Sequence, residues 1–182
     1  MKNIGIISRT QIINNKEFIG CYSNYIKKLK DKVNVFIIPY GSMNEVKQMD
    51  ALIAPGGDDI SSFDREVLDY AIDNDIPYLG ICLGMQVLGN KIAPIDNHYL
   101  KKQTVYIKSD SLLYKIYKTN ELLVNSRHHD RVIDTAYNVS AISDDGVIEG
   151  IEVPNKKFII GVQWHPEDLN NDSLFEYFIN IL

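Results

Sequence analysis

The 182 residues of this chain, 45% hydrophobic and 24% charged, are typical of a single globular domain with a substantial core, which we expect to span residues 1–182. The formal net charge of −5 argues against a nonspecific nucleic-acid-binding protein, which needs basic surface to neutralise phosphates. No apolar run approaches the roughly 20 residues needed to span a bilayer, so no membrane association is expected.

The first half of the chain alternates predicted strands and helices. Apolar runs bounded by Pro, Gly or Asn predict the strands, and apolar residues at helical spacing predict the helices. The predicted strands are 4–7, 33–38, 51–54 and 76–81, and the predicted helices are 18–32, 42–49, 62–74 and 83–88. This alternation predicts an α/β fold, with a mostly parallel sheet flanked by helices.

The second half of the chain contains mostly predicted strands. They cover 104–108, 121–124, 139–143, 147–152 and 157–162, with helices predicted at 111–117 and 173–182. Strands in succession without intervening helices indicate antiparallel strands, which we expect at one edge of the sheet.

A cysteine lies between a predicted strand and a predicted helix, in the segment Gly80-Ile81-Cys82-Leu83-Gly84. A nucleophile on such a sharp turn needs small flanking residues, and Gly80 and Gly84 meet that need. The beginning of a helix beside the sulfur favours the thiolate, and its N–H groups can hold an oxyanion. On this pattern alone, a buried core cysteine is an equally good interpretation.

A histidine and a carboxylate follow the last predicted strand, in the segment Trp164-His165-Pro166-Glu167. Alternate side chains of an extended segment point the same way, so Glu167 can orient His165 while His165 takes a thiol proton. With Cys82, these residues form the parts of a Cys-His-Glu triad.

Taken together, these segments resemble the class I (triad-type) glutamine amidotransferase family. Residues 51–59 resemble its glycine-rich oxyanion loop, and residues 80–86 resemble its nucleophile turn. Residues 124–129 and 145–150 resemble segments of one branch, the γ-glutamyl hydrolases. The resemblance implies the flavodoxin-like fold of that family, with antiparallel edge strands.

The resemblance also implies a role for each matching residue. Cys82 is the nucleophile, His165 is the general base and then the acid, and Glu167 orients His165. Backbone N–H groups of Gly57 and Leu83 form the oxyanion hole. The implied substrate contacts are Gly56, Gln86, Ser126, Arg127, His128 and His129.

The implied activity is hydrolysis of a γ-glutamyl amide through a thioester on Cys82, with release of glutamate and an amine or amidate. Substrates of that branch include γ-glutamyl amines, folate polyglutamates and a γ-glutamyl-CDP-amidate. The alternative is a glutaminase subunit that delivers ammonia to a synthetase partner. A small-molecule substrate is the expected partner, and a homodimer is left open.

The remaining polar residues give weaker signals. Asp130 and Arg131 follow the paired histidines, where that branch would have glutamine, so the leaving-group side of the pocket is expected to differ. Arg127 and Arg131 are either contacts for an anionic group or ordinary surface arginines. Adjacent His128 and His129 would point to opposite faces of a strand, so no metal and no cofactor are expected.

The only two cysteines are Cys21 and Cys82. If Cys82 is the nucleophile, no internal disulfide can form. This fits a reducing compartment, and the expected localisation is cytoplasmic.

Overall fold

In the computed structural model, which describes residues 1–182, thirteen strands and six α-helices follow one another along the chain. The strands are β1 (Asn3–Ile7), β2 (Arg9–Ile13), β3 (Lys16–Gly20), β4 (Asn34–Ile38), β5 (Ala51–Ala54), β6 (Tyr78–Ile81), β7 (Lys91–Pro94), β8 (Tyr99–Ile107), β9 (Glu121–Arg127), β10 (Asp130–Asp134), β11 (Asn138–Ser143), β12 (Ile148–Glu152) and β13 (Ile159–Val162). The helices are α1 (Ser23–Leu29), α2 (Met43–Val46), α3 (Ser62–Asn74), α4 (Leu83–Gln86), α5 (Leu112–Tyr117) and α6 (Ser173–Asn180). The longest of them has 13 residues, and none combines the length and apolar character that crossing a bilayer requires.

Nine strands form the central sheet, in the order β4-β1-β5-β6-β13-β12-β11-β8-β9. The strands from β4 to β13 in this order pair in parallel. The next four strands pair antiparallel and extend the sheet at the β13 side. The predicted α/β fold, with antiparallel strands at one edge, is confirmed.

The central parallel strands β1, β5, β6 and β13 are buried on both faces, whereas the edge strand β4 is largely exposed. Side chains alternate along β1, so Ile4 and Ile6 join one apolar cluster while Ile7 joins the other. In β5, Ile53 and Leu52 divide between the two clusters in the same way. Because both faces are covered, these strands are short, nearly continuous apolar runs, which is why the sequence predicts them well.

The predicted helix over 18–32 is wrong in its first part. Residues 9–20 instead form the β2–β3 hairpin, and α1 begins only at Ser23. Asn14 and Asn15 connect the two strands with positive φ angles of 51° and 59°, which asparagine adopts more readily than most residues. The helical spacing of Ile19 and Tyr22 with later residues was therefore coincidental.

A second two-stranded sheet was not predicted. It pairs β7, which follows α4, with β10, which follows β9, and the two strands are antiparallel. Helix α4 itself is shorter than predicted and ends at Gln86. Most other predicted elements differ from the structure only by a few residues at their ends.

The turn after β6 packs against β5 without space for a side chain at Gly84. A Cβ atom added there would lie 2.0 Å from the carbonyl oxygen of Ala54, and one added at Gly80 would lie 2.4 Å from the carbonyl oxygen of Gly84. The atoms that each added Cβ would meet belong to the backbone, which cannot move aside as a flexible side chain could. Gly84 is therefore required by the close approach of the turn to β5, and Gly80 by the close approach of β6 to the backbone of Gly84.

Gly84→Ala should destabilise the fold by about 3 kcal/mol or more, because the new methyl group forces the turn away from β5. For a chain of this size that corresponds to a melting temperature lower by about 6–12 °C, measured by calorimetry. Gly20→Ala is the matched control, since no atom lies within 4 Å of a Cβ at that position. Equal melting temperatures for the two variants would show that the close approach does not exist.

Candidate active site

Cys82 lies at the sharpest point of the turn between β6 and α4. Its φ of 55° and ψ of −106° are unfavourable for a residue with a side chain, so the surrounding structure must hold this conformation. The Cys82 N–H donates to the carbonyl oxygen of Val162 at 2.8 Å, and the Cys82 carbonyl accepts from the N–H groups of Met85 and Gln86. This backbone conformation is that of a nucleophile turn between a strand and a helix.

The glycine-rich loop after β5 lies against this turn. A Cβ atom at Gly56 would lie 3.8 Å from Cys82 Sγ and 3.0 Å from His165 Cε1. A Cβ atom at Gly57 would lie 3.0 Å from the Leu83 side chain. The structure thus brings the predicted oxyanion-hole residues, Gly57 and Leu83, next to each other beside the sulfur.

His165 follows β13, which pairs directly with β6, so the histidine and Cys82 extend from neighbouring strands. His165 Nδ1 is 2.7 Å from Glu167 Oε1, and both side chains are buried. A carboxylate accepts but does not donate, so Nδ1 carries the proton of this bond. Burial acts to lower the pKa of His165, but its hydrogen bonds with Cys82 and Glu167 outweigh burial and raise that pKa to about 9.

Asn125, on β9, fixes the backbone of His165 from the other side. Its Oδ1 accepts from the His165 N–H at 2.8 Å, and its Nδ2 donates to the His165 carbonyl oxygen at 2.9 Å. Asn125 lies in one of the family-like segments of the sequence, but no role was predicted for it. The paired hydrogen bonds set the position from which the His165 side chain projects.

Arg9, which the sequence did not single out, holds the glycine-rich loop. Its guanidinium donates to the carbonyl oxygens of Pro55 and Gly56 and to Asp64 Oδ1, the last at 2.6 Å. Asp64 is buried and also closes the capping box of α3 with Ser61. Charge-assisted bonds to two consecutive carbonyls fix the path of the loop beside Cys82.

Tyr25, on α1, is a second neighbour of the site that the sequence did not single out. Its hydroxyl oxygen accepts from the Gly56 N–H at 3.4 Å. Burial first, and then the adjacent Glu167 carboxylate, raise the pKa of Tyr25 well above its ordinary value, so the phenol stays neutral. Tyr25 therefore lies between the glycine-rich loop and the Glu167 carboxylate, which is hydrogen-bonded to His165.

A cavity of about 610 Å³ opens above Cys82. Cavities of roughly 300–1,000 Å³ hold small-molecule ligands. Cys82, His165, Gly56 and Gly57 line it on one side, and the β2–β3 hairpin forms part of its wall. Arg127 also lines the cavity, where it pairs with Asp168 and lies 3.9 Å from Glu167 Oε1.

Four predicted substrate contacts do not line this cavity. Gln86 is buried and donates to the carbonyl oxygen of Asp130, and Ser126 is buried and donates to that of His98. His128 is buried beside His98, and His129 is exposed and stacks on Tyr99. Because side chains alternate along β9, Arg127 faces the cavity while Ser126 faces the interior.

Arg131 does not line the cavity either, and its Nε atom is buried. Of the two arginines predicted as contacts for an anionic group, only Arg127 therefore lines the same cavity as Cys82.

The Trp164 side chain, which precedes His165, is fully buried and packs near Tyr117.

The sequence profile of the peptidase C26 family matches residues 61–167, more than half of the chain and a range that includes Cys82, His165 and Glu167. The chain belongs to the peptidase C26 family. Its fold is also that of a glutaminase domain. The acivicin-bound glutaminase domain of Trypanosoma brucei CTPS superposes with a TM-score of 0.81 over 100% of this chain and 93% of that one, at 20% sequence identity.

Relatives of this peptidase C26 chain include a glutamine amidotransferase-like protein of Rickettsia prowazekii, 28% identical over 76% of this chain and 78% of that protein. A glutamine-hydrolysing GMP synthase subunit of Methanococcus aeolicus is 28% identical over 77% of this chain and 76% of its own length. The CTP synthase of Methanopyrus kandleri is 28% identical over 68% of this chain, but the match spans only 31% of that enzyme. The chain is thus similar to glutamine amidotransferases in sequence and to a glutaminase domain in fold.

Proposed function

We propose that residues 1–182 form one hydrolase domain that cleaves a γ-glutamyl amide through a thioester on Cys82. The observation that carries this proposal is the meeting of Cys82, His165 and the glycine-rich loop at one end of the parallel strands. Ligands of α/β sheets bind at this end. The 610 Å³ cavity above the sulfur gives a γ-glutamyl group and its leaving group room to bind.

In the proposed reaction, Cys82 has already transferred its proton to His165, and the Sγ thiolate attacks the γ-carbonyl carbon. The tetrahedral intermediate collapses when the imidazolium gives that proton to the leaving nitrogen. Water, deprotonated by His165, then attacks the thioester and releases glutamate. Glu167 holds the imidazole in the tautomer that keeps Nε2 available, and it stabilises the imidazolium.

Backbone N–H groups of Gly57 and Leu83 would hold the oxyanion of this intermediate. The contacts of Arg9 and Tyr25 with the glycine-rich loop support this role, because a preformed loop needs no rearrangement when the charge develops. Arg127, which lines the cavity, would meet a substrate carboxylate or an anionic leaving group. Gln86, Ser126 and His128 would support the site from behind rather than contact the substrate.

Within this proposal, the stand-alone γ-glutamyl hydrolase is the first candidate and the glutaminase subunit is the second. The cavity of about 610 Å³ lies within the range that holds drug-sized ligands, which favours a leaving group larger than ammonia. The second candidate is favoured by the GMP synthase relative of Methanococcus aeolicus, which has a similar extent. Exposed Ile12 and Ile19 on the hairpin would also give a synthetase partner an apolar contact near the cavity.

The isolated chain should release glutamate from one member of a panel of γ-glutamyl amides faster than from free glutamine, measured by a coupled glutamate assay. Cys82→Ala should lose this activity, because it removes the sulfur on which the proposed thioester forms. Cys21→Ala is the matched control and should retain it, since Cys21 is the other cysteine of the chain.

Slow release from glutamine alone, accelerated when a synthetase is added, would support the second candidate. Equal rates for Cys82→Ala and the unchanged chain would contradict the proposed reaction in either form.

The rate should also depend on the proton of His165. Because the pKa of His165 is raised to about 9, kcat/KM should be maintained up to about pH 8 and fall as pH rises through 9. Above that pH the neutral imidazole has no proton for the leaving nitrogen. Glu167→Gln removes a carboxylate that raises this pKa, so the fall should move to lower pH in a measured pH–rate profile.

Glu176→Gln removes an exposed carboxylate on α6 and serves as the control for this profile. Its high-pH limb should coincide with that of the unchanged chain. A Glu167→Gln limb that also coincides would show that Glu167 does not act on His165.

A further inference from the structure

A buried group of two imidazoles and a carboxylate lies outside the lining of the cavity, and no step of the proposed reaction involves it. It consists of His98, His128 and Glu149, which are 1%, 3% and 0% exposed. His98 precedes β8, His128 follows β9, and Glu149 lies on β12. Three segments that are distant in sequence thus bring the side chains of His98, His128 and Glu149 close together.

The outward nitrogen of each imidazole already has a hydrogen-bond acceptor. His98 Nε2 is 2.7 Å from Asp145 Oδ2, and His128 Nδ1 is 2.9 Å from the carbonyl oxygen of Asp130. A carboxylate and a carbonyl accept hydrogen bonds, so both outward nitrogens carry protons. When both rings are neutral, the inward nitrogens, His98 Nδ1 and His128 Nε2, have only lone pairs. They face each other at 3.2 Å.

Two lone pairs at this distance repel, so a positive charge must lie between them. An ionised Glu149 would make the same demand, because its carboxylate is fully buried and its one hydrogen bond comes from the neutral Gln103 amide. The Oε2 atom of Glu149 has no hydrogen-bond partner. Either a shared proton or a metal ion could supply the charge.

The distances distinguish a proton from a metal ion. Glu149 Oε1 lies 3.8 Å from His98 Nδ1 and 3.6 Å from His128 Nε2, which is too long for a hydrogen bond to either ring. A proton would therefore join the two rings and leave Glu149 unbonded to both. Bonds of roughly 2.0–2.1 Å to a tetrahedral zinc ion separate its ligand atoms by about 3.3–3.4 Å. The three observed separations, 3.2, 3.6 and 3.8 Å, lie around that value.

The outer contacts also match those of a metal site. Metal-binding histidines usually donate their second N–H to a carboxylate or a backbone carbonyl, which fixes the ring and its tautomer. Asp145 does this for His98, and the Asp130 carbonyl does it for His128. Two imidazoles with one carboxylate form a ligand set that suits zinc.

We propose that His98 Nδ1, His128 Nε2 and the Glu149 carboxylate bind a zinc ion that ties the segments before β8, after β9 and along β12. Three protein ligands leave a fourth position for water. The ion would stabilise the fold rather than take part in the reaction, since none of its ligands lines the cavity. It would also act on α4, because Gln86 donates to the same Asp130 carbonyl that accepts from His128.

The test measures metal in the full-length chain, purified without an affinity tag and without chelators. Inductively coupled plasma mass spectrometry should find about one zinc per chain. Glu149→Gln keeps the shape of the side chain but removes its charge, and it should hold less than a tenth of that amount. His129→Gln is the matched control, because it removes an exposed neighbouring histidine that is stacked on Tyr99, and it should keep its zinc.

A second measurement does not depend on how the variants fold. The unchanged chain, stripped of metal and titrated with Co²⁺, should develop visible absorption bands of tetrahedral cobalt at one equivalent. Its melting temperature should rise with added Zn²⁺. An unchanged chain that takes up neither ion would overturn the proposal and leave a shared proton between the two imidazoles. Neither measurement involves turnover, so both outcomes are independent of the reaction proposed for Cys82.

Discussion

The whole site depends on how closely the turn after β6 approaches β5. The backbone of Gly84 lies so near the Ala54 carbonyl that no side chain fits between them. This approach brings the end of β5, with its glycine-rich loop, against Cys82. It also holds Cys82 in a backbone conformation that an unconstrained residue would leave. The position of the sulfur is therefore set by backbone packing rather than by contacts of its own side chain.

The other parts of the site follow from the order of the strands. β5, β6 and β13 are neighbours in parallel register, so the glycine-rich loop, Cys82 and His165 leave the sheet side by side. Residues outside these strands then fix the details. Arg9 holds the loop, Asn125 holds the backbone of His165, and Tyr25 lies between the loop and Glu167. A precise arrangement of this kind lets binding energy be used for catalysis rather than for rearrangement.

The sequence was informative wherever local chemistry determines structure. Doubly buried strands are continuous apolar runs, and a strained nucleophile turn needs small residues, so the sheet and the position of Cys82 could both be predicted. Contacts between distant segments could not. Arg9 reaches Pro55 across 46 positions, and Glu149 meets His98 only because β12 and β8 belong to one sheet. The end of β3 was assigned to a helix because Ile19 also fits a helical spacing with the residues of α1, and the Asn14-Asn15 turn was the signal for a hairpin.

The central claim is that Cys82 attacks a γ-glutamyl carbonyl, and a covalent trap tests it most directly. The chain is incubated with a diazoketone analogue of glutamine, which alkylates a nucleophile that binds the γ-glutamyl group. Intact mass and peptide mapping then locate the adduct. We expect one adduct per chain, on Cys82, with free γ-glutamyl substrate slowing its formation. An adduct on Cys21, or labelling that substrate does not slow, would contradict the claim.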